Sequence, residues 1–288
     1  MTQSTRVTVL VENTAFGRDV QGEHGLAFWI EAGSKRVLFD TGQTPGVLLH
    51  NADCLGIDLA SADAVALSHG HYDHTGGLET VLQRAGSIPL FLHPGALVQR
   101  FSRHKDGGVR EIGAPPPLDE SFLRKNTSSL SWTTEATPIA AGLWVTGQVP
   151  RATEYEDTGG DFYLDDACRE PDPIEDDQAV FFDTPDGTVV LLGCGHAGVV
   201  NTLRHVQGLT EGRPIHAVLG GTHLVAASKE RMDRTVEALR ALDLALIVPA
   251  HCTGARALAR IASEFQDSWE PCHVGTRFEF PAGSVNPL

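Results

Sequence analysis

The stretch Ser68-His69-Gly70-His71-Tyr72-Asp73-His74-Thr75-Gly76-Gly77-Leu78 concentrates three histidines and one carboxylate within six residues. An apolar run at residues 64–67 precedes it and predicts a buried strand, and residues 78–85 predict a helix. The cluster therefore lies on a loop between a strand and a helix. The three glycines of the stretch free the backbone to wrap around a single point.

The residue types of this loop indicate a metal site. Neutral imidazole and carboxylate together suit Zn, Mn or Fe. His69 and His71 are close in sequence, and we expect them to reach one ion from the same side. Asp73 and His74 are adjacent, and we expect them to serve a second ion close by. The alternative is a polar surface loop, but the chain has only 13 histidines in 288 residues, which makes such clustering rare by chance.

Three later apolar strands also end in a histidine on a loop that contains glycine. These histidines are His196, His223 and His251, and a helix is predicted after each loop. Because strands that alternate with helices bring such loops to one edge of a sheet, we expect all four histidine loops to meet there. Each histidine alone is compatible with a packing role. His93, at the end of another strand and before a proline, is expected to be structural.

The order of these motifs resembles the metallo-β-lactamase-fold superfamily, in which H-x-H-x-D-H follows a strand of a β-sandwich and binds one or two metal ions. Within it, the chain is similar to the branch of 7,8-dihydropterin-6-methyl-4-(β-D-ribofuranosyl)aminobenzene-5′-phosphate synthase. Four motifs carry the resemblance over most of the chain: H-x-H-x-D-H at residues 69–74, G-C-x-H-x-G-x-x-N at 193–201, G-G-x-H-L at 220–224 and P-x-H-C-T-G at 249–254.

The resemblance implies an α/β fold of the αββα type, with one domain over residues 1–288. Two sheets would pack face to face between outer helices, in two halves of similar topology. It also implies one or two divalent ions at one edge, with Zn expected first and Mn or Fe as alternatives. The implied ligands are His69, His71, Asp73, His74, His196 and His251.

One departure from the superfamily pattern concerns the second ion. Better-known hydrolases of the superfamily have a bridging aspartate, in a Gly-Asp pair, where this chain has Gly193-Cys194-Gly195-His196. We therefore expect the second ion to be bound differently or more weakly.

The resemblance also implies roles in catalysis. Asp73 is expected to orient the attacking hydroxide. His223 lies between the last two metal motifs, as does a histidine that assists the leaving group in phosphodiesterases of the superfamily. Its ordinary pKa, near ~6.5, would let it donate a proton at neutral pH, with a metal ligand or a structural histidine as the alternatives. Gly220 and Gly221 are expected to bind substrate by letting it approach the backbone closely.

Residues beside the motifs receive supporting roles. Asp40, at the end of a predicted strand, is expected to be buried and to accept hydrogen bonds from loop backbone or from a ligand histidine, which would fix the imidazole tautomer. A turn-capping aspartate is the alternative. Cys194 and Cys252 are expected to pack under the loops, neither disulfide-bonded nor nucleophilic. Because thiolate suits Zn, the alternative for Cys194 is a metal ligand.

Two segments interrupt the strand and helix pattern. Residues 101–137 include three consecutive prolines and predict an irregular, cap-like segment that is functional or mobile, with a passive surface excursion as the alternative. Residues 154–177 hold eleven acidic residues and one arginine, which is typical of a solvated acidic loop. The exception is its end, residues 175–178, which leads directly into an apolar strand.

Composition disfavours several functions. The formal charge of −15 argues against broad contact with nucleic acid, which needs a surplus of Lys and Arg. No apolar run approaches the roughly 18 residues of a membrane span, and no signal-peptide pattern follows residues 1–6. Five cysteines without paired spacing predict reduced thiols in a cytoplasmic protein. The expected partner is a small-molecule substrate, and a homo-oligomer is left open.

Three functions are compatible with these features. The first is a metal-dependent hydrolase that acts on a small phosphoester or cyclic ester through a metal-bound hydroxide. The second is the transfer reaction of the branch name, in which a dihydropterin diphosphate is joined to an aminobenzene phosphate and diphosphate is released. The third is a metal-dependent sensor or binding protein without catalysis, against which the complete set of ligand-type residues argues.

Overall fold

Two β-sheets pack face to face in the computed structural model, which describes residues 4–104, 106–140 and 142–282. The strands of the first sheet are β1 (Thr5–Val11), β2 (Ala27–Ala32), β3 (Lys35–Phe39), β4 (Ala64–Ala66), β5 (Pro89–Leu92), β8 (Ser129–Trp132) and β16 (Arg277–Phe280). Their spatial order is β16-β1-β2-β3-β4-β5-β8.

The second sheet is built from the later part of the chain. Its strands are β9 (Thr137–Ala140), β10 (Leu143–Val145), β12 (Ala179–Thr184), β13 (Gly187–Leu192), β14 (Ile215–Gly221) and β15 (Leu246–Ala250), in the order β15-β14-β13-β12-β10-β9. A small third sheet has the order β11-β6-β7 and consists of β6 (Phe101–Arg103), β7 (Val109–Glu111) and β11 (Phe162–Tyr163).

The two halves share a topology. In the first, the hairpin β2–β3 is antiparallel and β3, β4 and β5 follow as parallel neighbours. In the second, the hairpin β12–β13 is antiparallel and β13, β14 and β15 are parallel. Parallel neighbours require crossover connections, so the chain returns after each strand and the connecting loops gather at the strand ends.

Alternation along the strands creates the layers. In β2, Phe28 and Ile30 belong to the apolar core between the sheets, whereas Trp29 belongs to the cluster on the outer face, as a period of two requires. On the second sheet, Val189 faces the inner core and Val190 faces the outer one. Each sheet therefore buries both faces and needs helices outside it.

Helices cover both outer faces. Apolar residues of α1 (Pro45–Leu55) and α3 (Leu78–Ala85) join the outer cluster of the first sheet, and those of α5 (Val199–Leu209), α6 (Lys229–Ala241) and α7 (Ala255–Glu264) join that of the second. Shorter helices are α2 (Tyr72–Thr75) and α4 (Glu120–Asn126), with 3₁₀ turns at Leu59–Ser61, Pro94–Leu97 and His251–Thr253. This arrangement is the expected αββα sandwich.

None of the helices in the described part of the chain has both the length and the apolar composition that a bilayer crossing requires.

The segment at residues 101–137 is not irregular, contrary to the prediction. It contains β6, β7, α4 and β8, and β8 extends the first sheet beside β5. Its strands have only three or four residues each, too few for a hydrophobic period to show in the sequence. The β6–β7 hairpin and β11 form a cap over one end of the sandwich. Residue 105, within the predicted segment, lies outside the described residues.

The acidic segment at residues 154–177 is also different from the prediction, because several of its carboxylates are buried rather than solvated. Glu156 accepts hydrogen bonds from the backbone N–H of Val200 at 2.9 Å and of Asn201 at 2.8 Å, at the amino end of α5. Carboxylates are stabilised at that end by unpaired N–H groups and the helix dipole. The predicted exception is confirmed: Asp176 and Asp177 are buried.

Arg100 neutralises the end of this segment. Its guanidinium is buried and lies 2.8 Å from an oxygen of Asp172, and its Nη1 is 2.8 Å from Oδ2 of Asp176. The same Oδ2 accepts a hydrogen bond of 2.8 Å from the backbone N–H of Gly70. The ion pairs therefore tie the acidic segment to the loop that carries the histidine cluster.

Replacement of this buried cation tests the connection. We expect Arg100→Met to lower the free energy of unfolding by about 3–5 kcal/mol, because it leaves two buried carboxylates without their counter-charge. The control Arg124→Met removes an exposed pair with Glu120 and should cost under about 0.5 kcal/mol. Urea unfolding of the metal-free proteins measures both, and equal losses would contradict the assignment.

Candidate metal centre

The carboxyl ends of five strands meet at one edge of the sandwich. Asp40 follows β3, the stretch 69–74 follows β4, His196 follows β13, His223 follows β14 and His251 follows β15. The two sheets contribute side chains that touch: the ring centroids of His69 and His196 are 4.8 Å apart, and those of His74 and His251 are 5.1 Å apart. The predicted meeting of the histidine loops is confirmed.

A first group of imidazoles consists of His69, His71 and His196. Nε2 of His69 lies 3.0 Å from Nδ1 of His71, close to the roughly 3.3 Å between two nitrogens bound to one tetrahedral ion at about 2.0 Å. The ring centroids of His71 and His196 are 4.9 Å apart. Nε2 of His196 is buried and has no hydrogen-bond partner.

A second group lies beside the first and consists of Asp73, His74 and His251. Oδ2 of Asp73 is 3.7 Å from Nε2 of His74 and 3.2 Å from Nε2 of His251. His24, which the sequence did not point to, brings its Nε2 to 3.1 Å from the same oxygen. Asp73 and His74, which were predicted to act together because they are adjacent, are thus joined by His24 and His251 from two distant parts of the chain.

In His74 and His196, the ring nitrogen that points away from the cluster, Nδ1, is hydrogen-bonded to an oxygen atom outside the two groups. Nδ1 of His74 is 2.7 Å from Oδ2 of Asp40, which is fully buried and also accepts hydrogen bonds from the backbone N–H and the hydroxyl of Ser68. Nδ1 of His196 is 2.7 Å from the carbonyl oxygen of Thr158. Such bonds fix the tautomer and direct Nε2 inward. The predicted burial and hydrogen bonding of Asp40 are confirmed.

The other ring nitrogen of His251 is also held by an oxygen atom, in this case from a residue near the amino terminus of the chain. Nδ1 of His251 is 2.8 Å from Oδ1 of Asn13, and its backbone N–H donates to Glu12 at 2.8 Å.

The backbone of His251 is left-handed, with φ 50, as are those of Asp40 with φ 60 and His223 with φ 43. Residues other than glycine pay roughly 1–3 kcal/mol for such strain, which is typical of functional sites.

The donor atoms fit a divalent metal ion. Nε2 of His196 and of His251 are buried without a hydrogen-bond partner, an arrangement that costs stability unless a ligand occupies it. Groups of three donor atoms within 4.8 Å of one another are formed by His69 with Cys194 and His196, by His74 with Cys194 and His251, and by His24 with Asp73 and His251. Imidazole, carboxylate and thiolate are together the ligand types of Zn sites.

Burial sets the protonation of most of these rings. It lowers the pKa of His71 to about 3, helped by the charge of Arg100, and it lowers the pKa values of His69 and His196 well below the ordinary range. These rings are therefore neutral at pH 7, which is the form that binds metal.

The acidic residues reverse this trend at the second group. Burial would also lower the pKa of His74, but the carboxylates of Asp40 and Asp73 outweigh it and raise that pKa to about 9. Burial would raise the pKa of Asp73, but His74, His24 and His251 hold it well below the ordinary range. In the absence of metal this group therefore pairs an ionised Asp73 with a protonated His74, and a metal ion that binds His74 must displace that proton.

Cys194 and Cys252 are buried free thiols, as predicted. Burial, together with the neighbouring Cys252 thiol, raises the pKa of Cys194 well above the usual range. In the absence of metal the thiol is therefore protonated, which disfavours a nucleophile. Its Sγ nevertheless lies 3.2 Å from Nε2 of His74, inside the cluster rather than under it.

The structure corrects the reasons given for His223, Gly220 and Gly221. Burial lowers the pKa of His223 to about 4, so the ring is neutral at pH 7 and cannot donate a proton as an imidazolium. Gly220 and Gly221 are buried in β14. A side chain at these positions would lie 2.1 Å from the carbonyl oxygen of Leu192 and 2.4 Å from that of Gly193, so the space assigned to substrate is taken by neighbouring backbone.

A cavity of about 190 Å³ opens above the second group. Its lining includes histidines 24, 71, 196, 223 and 251 and Asp73, together with Ser102, His104 and Arg110 of the β6–β7 hairpin and Phe162 of β11. The guanidinium carbon of Arg110 is 4.5 Å from the ring centroid of Tyr72. His93 stays outside this lining and accepts a hydrogen bond from Gly95 at 3.1 Å.

Sequence reasoning missed the residues that lie outside motifs. His24 and Asn13 belong to the extended connection between β1 and β2, where no period or repeated motif marks a site. Arg110 and Phe162 lie on strands of two or three residues. The available signal was weak: a histidine before a glycine, at residues 24–25, and a cationic hairpin in a chain with formal charge −15.

Fold and site together define a metal-dependent enzyme fold of the β-lactamase type. A sequence profile of the metallo-beta-lactamase superfamily matches residues 20–251, and the chain belongs to this superfamily. Divalent metal binding is a property that the fold implies, and the histidine groups described above supply the donors for it.

Similar proteins include both a synthase and a hydrolase. The 7,8-dihydropterin-6-methyl-4-(beta-D-ribofuranosyl)-aminobenzene-5′-phosphate synthase of Methanocaldococcus jannaschii is 30% identical over 96% of this chain and 96% of its own length. An uncharacterised protein of the same organism is 33% identical over 89% and 93%. A solved structure described as a metal-dependent hydrolase of the beta-lactamase superfamily superimposes with a TM-score of 0.80, at 30% identity over 96% and 99%.

The hydrogen bond from His74 to Asp40 offers a test of the metal centre. We expect Asp40→Asn to weaken binding of Zn²⁺ by about 10–100-fold, because the carboxylate no longer orients His74 or increases its basicity. Asp63→Asn is the control, since this carboxylate pairs with Lys35 at the surface. Competition with a chromophoric chelator measures both affinities, and equal affinities would contradict the role of Asp40.

Proposed function

We propose that this protein is a metal-dependent hydrolase of a small phosphoester or cyclic ester. The observation that supports it best is the lining of one cavity, which combines donor atoms for divalent ions with residues of the cationic cap hairpin. A small substrate placed between them would contact both. The hydrolase name of a similar structure gives independent support.

His69, His71 and His196 would hold one ion, and Asp73, His74 and His251 a second. When bound, such ions supply a lowered pKa for water, toward ~7, and polarisation of the scissile group. Asp73 faces the cavity through Oδ2, which His24 and His251 already contact at 3.1 and 3.2 Å. Its carboxylate is thereby held in one orientation, from which it can orient the attacking water by accepting a hydrogen bond.

The overall reaction requires a proton at the leaving group. Water adds its oxygen to phosphorus or to the ester carbon, and the bond from that atom to the leaving oxygen breaks. The leaving oxygen gains a proton that the attacking water has released. His223 lines the cavity beside His196, with ring centroids 4.3 Å apart. As a neutral ring it can donate a hydrogen bond to the departing oxygen through its N–H.

The cap hairpin favours a phosphoester over an uncharged cyclic ester. Arg110 presents a permanent cation at the cavity, beside the ring of Tyr72. Guanidinium groups bind phosphate oxygens with two parallel hydrogen bonds. Ser102 and His104 lie on the same hairpin and add further donors.

The principal alternative is the transfer reaction of the similar synthase. The same cavity would then hold a diphosphate leaving group, and the aminobenzene nitrogen would replace water as the nucleophile. A further alternative is a metal-dependent sensor or binding protein, whose cavity would bind the anion without turnover.

An ester panel tests the proposal. Protein loaded with Zn²⁺ or Mn²⁺ is expected to hydrolyse at least one phosphomonoester, phosphodiester or lactone under steady-state conditions. Release of diphosphate only when both pterin-pathway substrates are present would support the transferase instead. Stoichiometric metal binding without turnover in either assay would favour the sensor.

Arg110 allows the substrate class to be tested within the same panel. We expect Arg110→Gln to lower kcat/KM for an anionic ester about tenfold or more, since a hydrogen bond to a charged group contributes roughly 1.5–3 kcal/mol, while any turnover of a neutral lactone is unchanged. Arg103→Gln is the matched control: it lies on the same hairpin, stacks on Tyr163 at 5.0 Å and is outside the cavity lining. Equal effects of the two substitutions would exclude phosphate recognition by Arg110.

A second substitution tests the leaving-group role of His223. With His223→Gln we expect metal content to be retained and kcat to fall about tenfold or more, since a hydrogen bond to a charged group contributes roughly 1.5–3 kcal/mol. His216→Gln, in the strand β14 that precedes His223 but outside the cavity lining, should change neither quantity. Loss of metal in the His223 variant would identify a ligand, and unchanged kcat would reject the role.

A further inference from the structure

The two imidazole groups have one donor atom in common. His69 and His196 form one group of donors within 4.8 Å of one another, and His74 and His251 form another. The Sγ of Cys194 completes both groups. It also lies 3.2 Å from Nε2 of His74.

Asp73 does not take this shared position. Its Oδ2 is close to His74 and His251, at 3.7 and 3.2 Å, and to His24 at 3.1 Å. Asp73 therefore belongs with the second imidazole group, whereas the one triad that includes His69 contains the Cys194 sulfur. The donor atom common to both imidazole groups is thus a sulfur rather than a carboxylate oxygen.

The local backbone holds the sulfur in this position. Gly193 continues from β13 against Ser68, where an added side chain would lie 2.1 Å from the serine hydroxyl. Gly195 has a left-handed backbone, with φ 65, and turns the chain so that Cys194 and His196 both face the centre. A residue other than glycine would be strained there.

Cys252 is the neighbouring thiol, and its geometry is different. Its Sγ donates a hydrogen bond of 3.4 Å to the carbonyl oxygen of Cys194. It belongs to a group with Cys194 and His223 but to neither of the two groups that contain His69 or His74. Both cysteines are buried free thiols, but only Cys194 belongs to the donor groups that contain His69 and His74. Cys252 is therefore a matched control.

We propose that the Cys194 thiolate is a bridging ligand that contacts both metal positions. Thiolate sulfur has several lone pairs and favours Zn²⁺, Co²⁺ and Fe²⁺ over the harder Mn²⁺ and Mg²⁺. A sulfur bridge would therefore select the metal as well as join the two ions. The proposal concerns metal binding and does not depend on which reaction the protein catalyses.

Titration with Co²⁺ tests it, because bonding of thiolate to Co²⁺ produces a charge-transfer absorption band in the near ultraviolet. In the unmodified protein we expect the band to grow through both the first and the second equivalent of Co²⁺. A band that stops growing after one equivalent would show a ligand of one ion only, and two bound ions without a band would show no thiolate ligand. Either result overturns the proposal.

Variants assign the band to one sulfur. Cys194→Ser is expected to lose it, and Cys252→Ser to keep it at both equivalents. Cys194→Asp should bind two ions without the band and should shift its preference from Co²⁺ toward Mn²⁺, since an oxygen ligand is harder. Circular dichroism of the metal-free variants checks folding. Persistence of the band in Cys194→Ser, or its loss in Cys252→Ser, would refute the assignment.

Discussion

The structure depends on keeping a cluster of buried imidazoles neutral and aimed at one place. The ring centroids of His74 and His196 lie 4.3 and 4.8 Å from that of His69. Several protonated rings at such distances in a buried site would repel one another strongly. Burial keeps most of these rings neutral. Each neutral ring then has a nitrogen lone pair that needs a proton donor or a metal ion as its partner, because water is excluded from the buried site. A divalent ion satisfies this need, which explains why strand ends from both sheets converge at this edge.

The acidic segment is what holds the converging loops together. Glu156 binds the amino end of α5, the carbonyl of Thr158 holds His196, and Asp177 accepts a hydrogen bond of 2.7 Å from Ala197. Asp176 binds Gly70 of the first histidine loop at 2.8 Å. One segment thus contacts the metal loops of both halves. The charges of its buried carboxylates are compensated by backbone N–H groups and by Arg100, so these carboxylates serve the geometry of the site, whereas most of the others in the segment are exposed.

The sequence predicted the parts of the molecule that have a period or a motif. The strand ends and the meeting of the histidine loops followed from apolar runs and from the repeated order of strand, histidine loop and helix, whereas the αββα layers were implied by the resemblance to the superfamily. The cap did not, because strands such as Phe101–Arg103 are too short for a period. His24 and Asn13 act through contacts with residues about 50 and 240 positions away, at Asp73 and His251. Such contacts leave no local trace in one sequence.

The error about Gly220 and Gly221 has a similar origin. A glycine pair before a histidine indicates that something approaches the backbone closely, but it does not indicate what. Here Leu192 and Gly193 approach, because β13 and β14 are parallel neighbours with Leu192 opposite Gly220. The same ambiguity applied to the acidic run, whose composition alone could not distinguish solvated carboxylates from those that bind helix ends.

The charge of the chain and the charge of the cavity act over different distances. A formal charge of −15 repels anions at long range, but salt screens this repulsion beyond about 8 Å at physiological ionic strength. Within that distance an anionic substrate would meet Arg110, His104 and the bound cations. Selection would therefore take place at contact, inside a cavity of about 190 Å³. This combination suits a small phosphorylated molecule and disfavours an extended polyanion, whose remaining phosphates would lie against an acidic surface.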